Sequence, residues 1–412
     1  MKNLIKRIHA HLLERYLRKF PVVVVLGARQ VGKTTLARKL IRGKRKFITF
    51  DDEGMIMTAR DDLRAFVGQK GRLTIDEVQK LPEILSAIKM DVDEARVPGR
   101  FLLTGSANLL MLPKIRESLA GRAAYLEIEP LTIFESRGGI GSAPRLIKML
   151  NAPNGWKALN SFDHKEMPLE KYIFKGGYPD VWLEKNTARI GDWFKNYIKT
   201  YLERDIRDLS NIHNLYEFRK FLSLLALRCG QILNKADLAR DAGIPYTTAA
   251  QFFNLLLASF QVIAVEPYFR NIGKRLIKAP KLMWSDTGVA AYLQGLNSWG
   301  DAQRLGRVGF LLENKMFIEF KTILSVFKPA AKIFYWRTSA GAEIDMLIED
   351  RGKLFPIEIK WSDKVDRHDL NSLKIFMKDF KKEAPWGMVL YRGKALIKAA
   401  DNIFLVPFGR LI

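Results

Sequence analysis

The chain has 412 residues, 48% hydrophobic and 27% charged, which excludes wholesale disorder and predicts two or three domains rather than one core. Lysine plus arginine exceed aspartate plus glutamate by 68 to 44, and the net charge of +24 points toward a polyanion, nucleic acid or an anionic membrane face. The lone cysteine, Cys229, excludes an internal disulfide, and no apolar run nears the roughly 20 residues of a membrane span, so a soluble cytoplasmic protein is expected.

Residues 1–46 carry fourteen basic side chains against one acid, Glu14. Within them, the apolar period of Ile5, Ile8, Leu12, Leu13 and Tyr16 predicts an amphipathic helix over Leu4 to Leu17. Val22 to Leu26 reads as a strand buried on both faces of a parallel sheet. A helix over Thr35 to Ile41 follows, then strands at Phe47 to Phe50, Leu73 to Ile75 and Phe101 to Thr104. This alternation predicts a doubly wound α/β domain over residues 1–160. The Gly-, Pro- and Ser-rich stretch from Gly138 to Asn160 reads as a linker or insertion.

Gly27-Ala28-Arg29-Gln30-Val31-Gly32-Lys33-Thr34 fits G-x-x-x-x-G-K-[ST], between a strand and a helix. Glycines let backbone N–H groups curl around phosphates, and the following helix adds its dipole. Lys33 is expected on the β and γ phosphates of ATP, with Thr34 on Mg²⁺ and Thr35 completing the loop. Leu73-Thr74-Ile75-Asp76-Glu77 supplies the second half: Asp76 for Mg²⁺, Glu77 as general base. After the fourth strand, Ser106 is the favoured contact to the γ-phosphate or attacking water, with Thr104 and Asn108 as alternatives. Arg122 is a candidate arginine finger toward a neighbouring subunit, rivalled by Arg116.

In residues 161–300, Asn234 to Pro245 followed by Tyr246 to Leu257 outlines a helix-turn-helix, and Val262 to Trp284 a basic β wing. Thr247, Thr248, Gln251 and Asn254 share one helical face able to meet base edges, although the helix carries no Lys or Arg. Arg270, Lys274, Arg275, Lys278 and Lys281 form a second basic patch, suited to DNA phosphates.

Residues 301–412 read as a separate α/β module. If Arg351-Gly352 is a two-residue hairpin loop, Asp345 faces Glu358 and Lys360 faces Glu343, all on one face. Two facing carboxylates repel unless a cation lies between them. With Glu313 from the preceding helix, Asp345, Glu358 and Lys360 resemble the PD-(D/E)xK nuclease core, which implies a second Mg²⁺ site. Pro356 within the strand suggests an edge or a bulge that would shift the register by one. A plain alternative is a salt-bridged face in which Lys360 neutralises Glu343 and Asp345.

The loop motif, Ile75-Asp76-Glu77-Val78-Gln79, Leu103-Thr104-Gly105-Ser106 and Ser118-Leu119-Ala120-Gly121-Arg122 together resemble the AAA+-type P-loop ATPases of bacteria and archaea. Gly176-Gly177-Tyr178-Pro179, Asp286-Thr287-Gly288, Leu312-Glu313-Asn314 and Glu343-Ile344-Asp345 narrow this to those joined to the domain of unknown function 4143. The resemblance spans nearly the whole chain and implies ATP binding and hydrolysis with Mg²⁺. The leading expectation is an ATPase whose nucleotide state drives a nucleic-acid-engaging C-terminal half, in a homo-oligomer. A nucleotide-dependent switch or scaffold and an ATP-regulated DNA endonuclease are the alternatives.

Overall fold

The computed structural model describes residues 4–41, 43–105, 119–139, 144–152, 159–160, 163–202 and 215–412. The β-branched run Val22–Leu26 forms β1, buried along its whole length. With β2 (Lys46–Thr49), β3 (Leu73–Asp76), β4 (Phe101–Thr104) and β5 (Ala123–Glu127) it makes a parallel sheet of order β2-β3-β4-β1-β5. Alternation along β1 feeds two cores. Val22, Val24 and Leu26 pack with Ile48, Ile75, Ile84 and Ile88. Val23 and Val25 pack with Leu12, Leu13 and Leu102 in a core that continues to Phe252, Phe320 and Met346. Because all five strands run one way, the ends of β1, β3 and β4 meet at one edge.

Two local expectations need correction. The first helix begins at His9, not Leu4, and runs to Leu17. The Glu135 carboxylate accepts the Ile8 amide at 2.9 Å and the Arg7 guanidinium at 2.9 Å, which pins the chain before the first turn. The supposed linker contains a helix, Arg145–Asn151, that buries Leu146, Ile147, Met149 and Leu150. Its apolar residues outweigh the surrounding turn formers.

Further on, helix Leu215–Leu227 precedes the pair Lys235–Ala242 and Tyr246–Ala258. Asn234 caps the first of this pair by accepting the amides of Ala236 and Asp237. Gly243, at φ 72°, turns the chain out of it in a conformation that a Cβ would strain. Thr247, Gln251 and Asn254 face solvent on the second helix, while Phe252, Phe253 and Leu256 are buried. β6 (Val262–Val265) and β7 (Lys281–Trp284) pair antiparallel, with Val262 opposite Trp284. They do not form a continuous wing: the short helix Ile272–Ile277, capped by Asn271, stands between them.

The long helix Val308–Phe327, buried on nearly every side, leads into a six-stranded sheet. Its strands are β8 (Lys332–Arg337), β9 (Glu343–Asp350), β10 (Lys353–Lys360), β11 (Gly387–Tyr391), β12 (Ile397–Ala400) and β13 (Ile403–Pro407). The order is β12-β13-β11-β10-β9-β8. Arg351 at φ 52° and Gly352 at φ 78° make the left-handed two-residue turn that suits a twisted hairpin. From that turn the register runs unbroken from Asp350–Lys353 to Met346–Ile357. Pro356 neither lies on an edge nor shifts it. Counting from the turn, Pro356 falls on a non-hydrogen-bonded pair with Leu347, so β9 loses no donor.

Candidate functional site

At the converging strand ends, β1 turns at Gly27, whose φ of 145° and close approach leave no room for a side chain: a Cβ would lie 2.3 Å from the Ile128 carbonyl oxygen. Gln30 at φ 62° and Gly32 at φ 98° continue the loop into the helical turn Lys33–Thr35. The buried Lys33 Nζ donates to the carbonyls of Gly27 at 3.0 Å and Ala28 at 2.8 Å. It therefore lies within the curl of the loop. Thr34 Oγ1 donates to both Asp76 oxygens at 3.0 Å, and Thr104 Oγ1 donates to Asp76 Oδ1. The register explains the trio: β4 lies between β3 and β1 and sets Thr104 beside Val25.

An ammonium within a glycine curl, next to a hydroxyl–carboxylate pair, is a donor set that fits a Mg²⁺-triphosphate. Glu77 adopts φ 55°, ψ 43°, a left-handed conformation that costs a non-glycine residue about 1 kcal/mol or more. Its carboxylate accepts from Gln79 Nε2. Strain of this kind, one residue past Asp76, aims the side chain off the strand. A cavity of about 250 Å³ opens beside Ala28, lined among others by Glu127, Leu257, Phe260, Val262 and Lys321.

Ser106, Asn108 and Arg116 lie outside the described residues. Thr104, one of the two alternatives to Ser106, donates to Asp76 as Thr34 does. Arg122 stands before β5, at the sheet edge opposite the loop. There it makes a two-pronged contact with Asp93 at 2.6 and 2.7 Å.

A buried network behind the loop carries no motif. Arg7 donates to the Val31 carbonyl of the loop at 2.7 Å, to the Glu129 carbonyl at 2.5 Å and to Glu135. Glu135 closes a capping box with Thr132 on the short helix Ile133–Ser136. From the helix Val308–Phe327, Glu319 accepts the amides of Ile133 at 2.7 Å and Phe134 at 3.0 Å. Lys321, from the same helix, reaches Glu129 at 2.5 Å and Glu127 at 2.9 Å, while His9 Nε2 lies 3.0 Å from Glu129. Burial alone would raise the Glu129 carboxyl, but Lys321 and then His9 hold it well below the usual range. The Thr132-x-x-Glu135 spacing is the one sequence signal that marks this network.

The basic patches are smaller than composition suggests. Arg7 and Lys33 are buried, and Arg45 donates inward to Gly99 at 2.6 Å and Thr74 at 2.9 Å. Burial, with Arg72 and Arg100 nearby, lowers the Arg45 guanidinium to about 10. In the second patch, Arg275 is buried and pairs with Glu349 at 3.1 Å, Arg270 pairs with Glu383 at 3.3 Å, and Lys281 is 1% exposed. Lys6, Arg15, Arg18, Lys19, Arg38, Lys39, Lys44 and Lys46 remain exposed in the first patch, Arg270, Lys274 and Lys278 in the second.

The C-terminal acids do gather, around a partner the sequence reading placed elsewhere. Lys281 Nζ lies 2.9 Å from Glu313 and 2.7 Å from Glu343. Lys360, which the plain alternative set against Glu343 and Asp345, lies 3.8 Å from Glu358 and 3.6 Å from Asp369. Asp345 accepts the Ile359 amide at 2.8 Å. Glu358 is buried with its Oε1 unpaired; burial and then Asp345 push its carboxyl well above the ordinary range. Burial also works against the ionised form of Glu313, which the Lys281 ammonium 2.9 Å away favours. Among the described residues, no three His, Cys, Asp or Glu side chains converge in a geometry that would hold a metal ion.

Three stretches match known families: 19–136 an AAA domain, 167–299 the domain of unknown function DUF8612 and 308–411 the domain of unknown function DUF4143. The uncharacterized proteins Rv2008c of Mycobacterium tuberculosis and Mb2031c of Mycobacterium bovis are each 31% identical over 411 residues, covering 99% of this chain and 84% of theirs. The uncharacterized protein MJ1544 of Methanocaldococcus jannaschii is 27% identical over 215 residues, half of this chain and 46% of its own. Among solved structures, the Bacillus subtilis DNA clamp loader delta protein YqeN aligns with 77% of this chain and 99% of its own, at 11% identity and a TM-score of 0.26.

Proposed function

Because the chain belongs to the family that joins an AAA-type ATPase core to a DUF4143 domain, we propose that it is a Mg²⁺-dependent ATPase whose nucleotide state is relayed to a nucleic-acid-engaging C-terminal half. The observation that carries this reading is the cluster of Lys33, Thr34, Asp76 and Thr104 at one sheet edge. Lys33, released from the loop carbonyls, pairs with the β and γ phosphates, and the backbone of 27–34 wraps them. Thr34 and Asp76 hold Mg²⁺, which supplies charge neutralisation at the transferring phosphate. Glu77 takes the proton of the attacking water, and Thr104, with Ser106, orients the γ-phosphate side of the site. The cavity beside Ala28 suits the base.

Arg7 supports the relay, since one guanidinium binds the loop carbonyl of Val31 and the carboxylate that organises helix Ile133–Ser136. Glu319 and Lys321 carry the same network onto the C-terminal helix. In this reading the helix pair 235–258 with β6 and β7 acts as a winged-helix-like element, the C-terminal sheet is PD-(D/E)xK-like, and the exposed lysines and arginines meet DNA phosphates. Self-association, with Arg122 exchanging Asp93 for a neighbour's phosphate, and a cytoplasmic setting belong to the same proposal. No helix among the described residues is long and apolar enough to cross a membrane.

ATP hydrolysis measured with and without duplex DNA, over a salt titration, tests the proposal. Hydrolysis that DNA stimulates, with a steep loss at higher salt, is the expected result. No hydrolysis in Mg²⁺ would remove the catalytic part, and unchanged rates with no DNA binding at low salt would remove the nucleic-acid part. That second outcome would leave a nucleotide-operated scaffold, a reading that the Gln79 contact holding Glu77 favours.

A further inference from the structure

Lys281 stands in β7, whose neighbours in the chain are apolar, and β7 pairs with β6 rather than with the C-terminal sheet. It is fixed from several directions. Val265 lies opposite it, Ile232 bridges to it, and the next residue, Leu282, exchanges backbone hydrogen bonds with Gly230 and Gln231 at 2.8 and 2.9 Å. Two residues earlier, the Ala279 carbonyl accepts from Tyr335 Oη at 2.6 Å. The strand thus has little freedom to withdraw. Its ammonium crosses from one sheet to the other and enters the cluster formed by Glu313 of the long helix and Glu343 and Asp345 of β9.

A buried ammonium persists only where carboxylates repay its lost hydration. Here three carboxylates overcome the effect of burial and hold Lys281 more strongly protonated than a lysine in water. Magnesium needs near-octahedral oxygens at about 2.0–2.1 Å. The carboxylate oxygens of Glu313 and Glu343 instead point at one nitrogen, 2.9 and 2.7 Å away. Asp345, the third acid, also accepts the Ile359 amide, and Glu358 lies 3.8 Å from Lys360. The unpaired Glu358 Oε1 marks the side of the cluster that the ammonium does not reach.

We propose that the Lys281 side chain is the built-in cation of this cluster, closing it to Mg²⁺ and Mn²⁺, so that the C-terminal module, which on the function proposed above engages nucleic acid, does not cut it. The lysine does by permanent placement what a divalent ion does in a cleaving site: it neutralises Glu313, Glu343 and Asp345. It brings no water to a phosphodiester, and so no nucleophile. The inference does not depend on ATP chemistry, because these residues share nothing with the phosphate loop.

The test is Mn²⁺ binding by the full chain without nucleotide, read by electron paramagnetic resonance of the free ion, in wild type, Lys281→Met, Asp345→Asn and the Lys281→Met/Asp345→Asn double variant. Wild type and Asp345→Asn should bind Mn²⁺ equally. Lys281→Met, confirmed folded by circular dichroism, should gain a site at least about tenfold tighter, which the double variant loses. A wild-type site that Asp345→Asn abolishes would overturn the proposal, as would a folded Lys281→Met that gains none. Should Lys281→Met not fold, plasmid nicking decides between wild type and Glu358→Gln in Mg²⁺. Nicking by wild type that Glu358→Gln loses overturns the proposal, and its absence from both supports it.

Discussion

The phosphate loop and the C-terminal cluster both place a lysine near carboxylates, yet they dispose of it in opposite ways. Lys33 donates to carbonyls of its own loop, and Asp76 is left to two hydroxyls. An incoming anion displaces such neutral contacts readily, and an incoming Mg²⁺ finds a carboxylate met by the hydroxyls of Thr34 and Thr104. Lys281 is locked onto carboxylates themselves. Neither phosphate nor metal has a reason to enter. The difference teaches that what a buried ammonium donates to, loop carbonyls or the acids themselves, rather than the number of acids, separates a receptive site from a finished one.

The sharpest contrast is kinetic. Glu77→Gln should retain ATP binding while turnover falls by about 10²–10⁴-fold, measured in single-turnover hydrolysis; unchanged turnover would place the base elsewhere. Lys281→Ala should instead act on stability, costing about 3 kcal/mol in urea melts because Glu313 is left buried without its cation. ATP affinity should hold. Lys33→Ala reverses that pattern, with stability kept and ATP binding weakened by about 3 kcal/mol, roughly a hundredfold, in titration calorimetry. If both lysine variants lose stability alike, the contrast between the two sites fails.

Acid sharpens the comparison further. Glu129 has a lowered carboxyl, so its contribution to stability is present above about pH 4.5 and lost as pH falls toward its folded value. Lys321, raised by Glu129 and Glu127 against burial, contributes from the opposite side and fails only above its unfolded value of 10.5. Protection of helix Val308–Phe327 from hydrogen exchange should therefore drop below about pH 4, and Lys321→Met should flatten that dependence. The smallest effect belongs to Arg122→Ala: its exposed contact with Asp93 predicts unchanged melting and hydrolysis. A loss of about 10³-fold in hydrolysis would instead assign it the finger role.

What was legible in the sequence was local. The run from Gly27 to Thr34 determines its own backbone path, and the left-handed pair Arg351-Gly352 sets the hairpin register that brings Asp345 and Glu358 together. That Thr104 reaches Asp76 follows from the strand order, which no stretch of chain states. Lys281 looked like one of five surface cations because charge is visible in sequence and burial is not. Arg7 was counted in a basic patch for the same reason. Its partners are 24 and 128 residues away, and only the assembled sheets bring them within reach.

Glu319 receiving the amides of Ile133 and Phe134 has a practical corollary for anyone dissecting the protein. A fragment ending near residue 160 would keep Lys33, Thr34, Asp76 and Thr104 but forfeit half the lining of the cavity beside Ala28 and the carboxylate that caps the first turn of helix Ile133–Ser136. Such a truncation would report on a frayed remnant, and the C-terminal helix is better regarded as part of the AAA domain's own scaffolding.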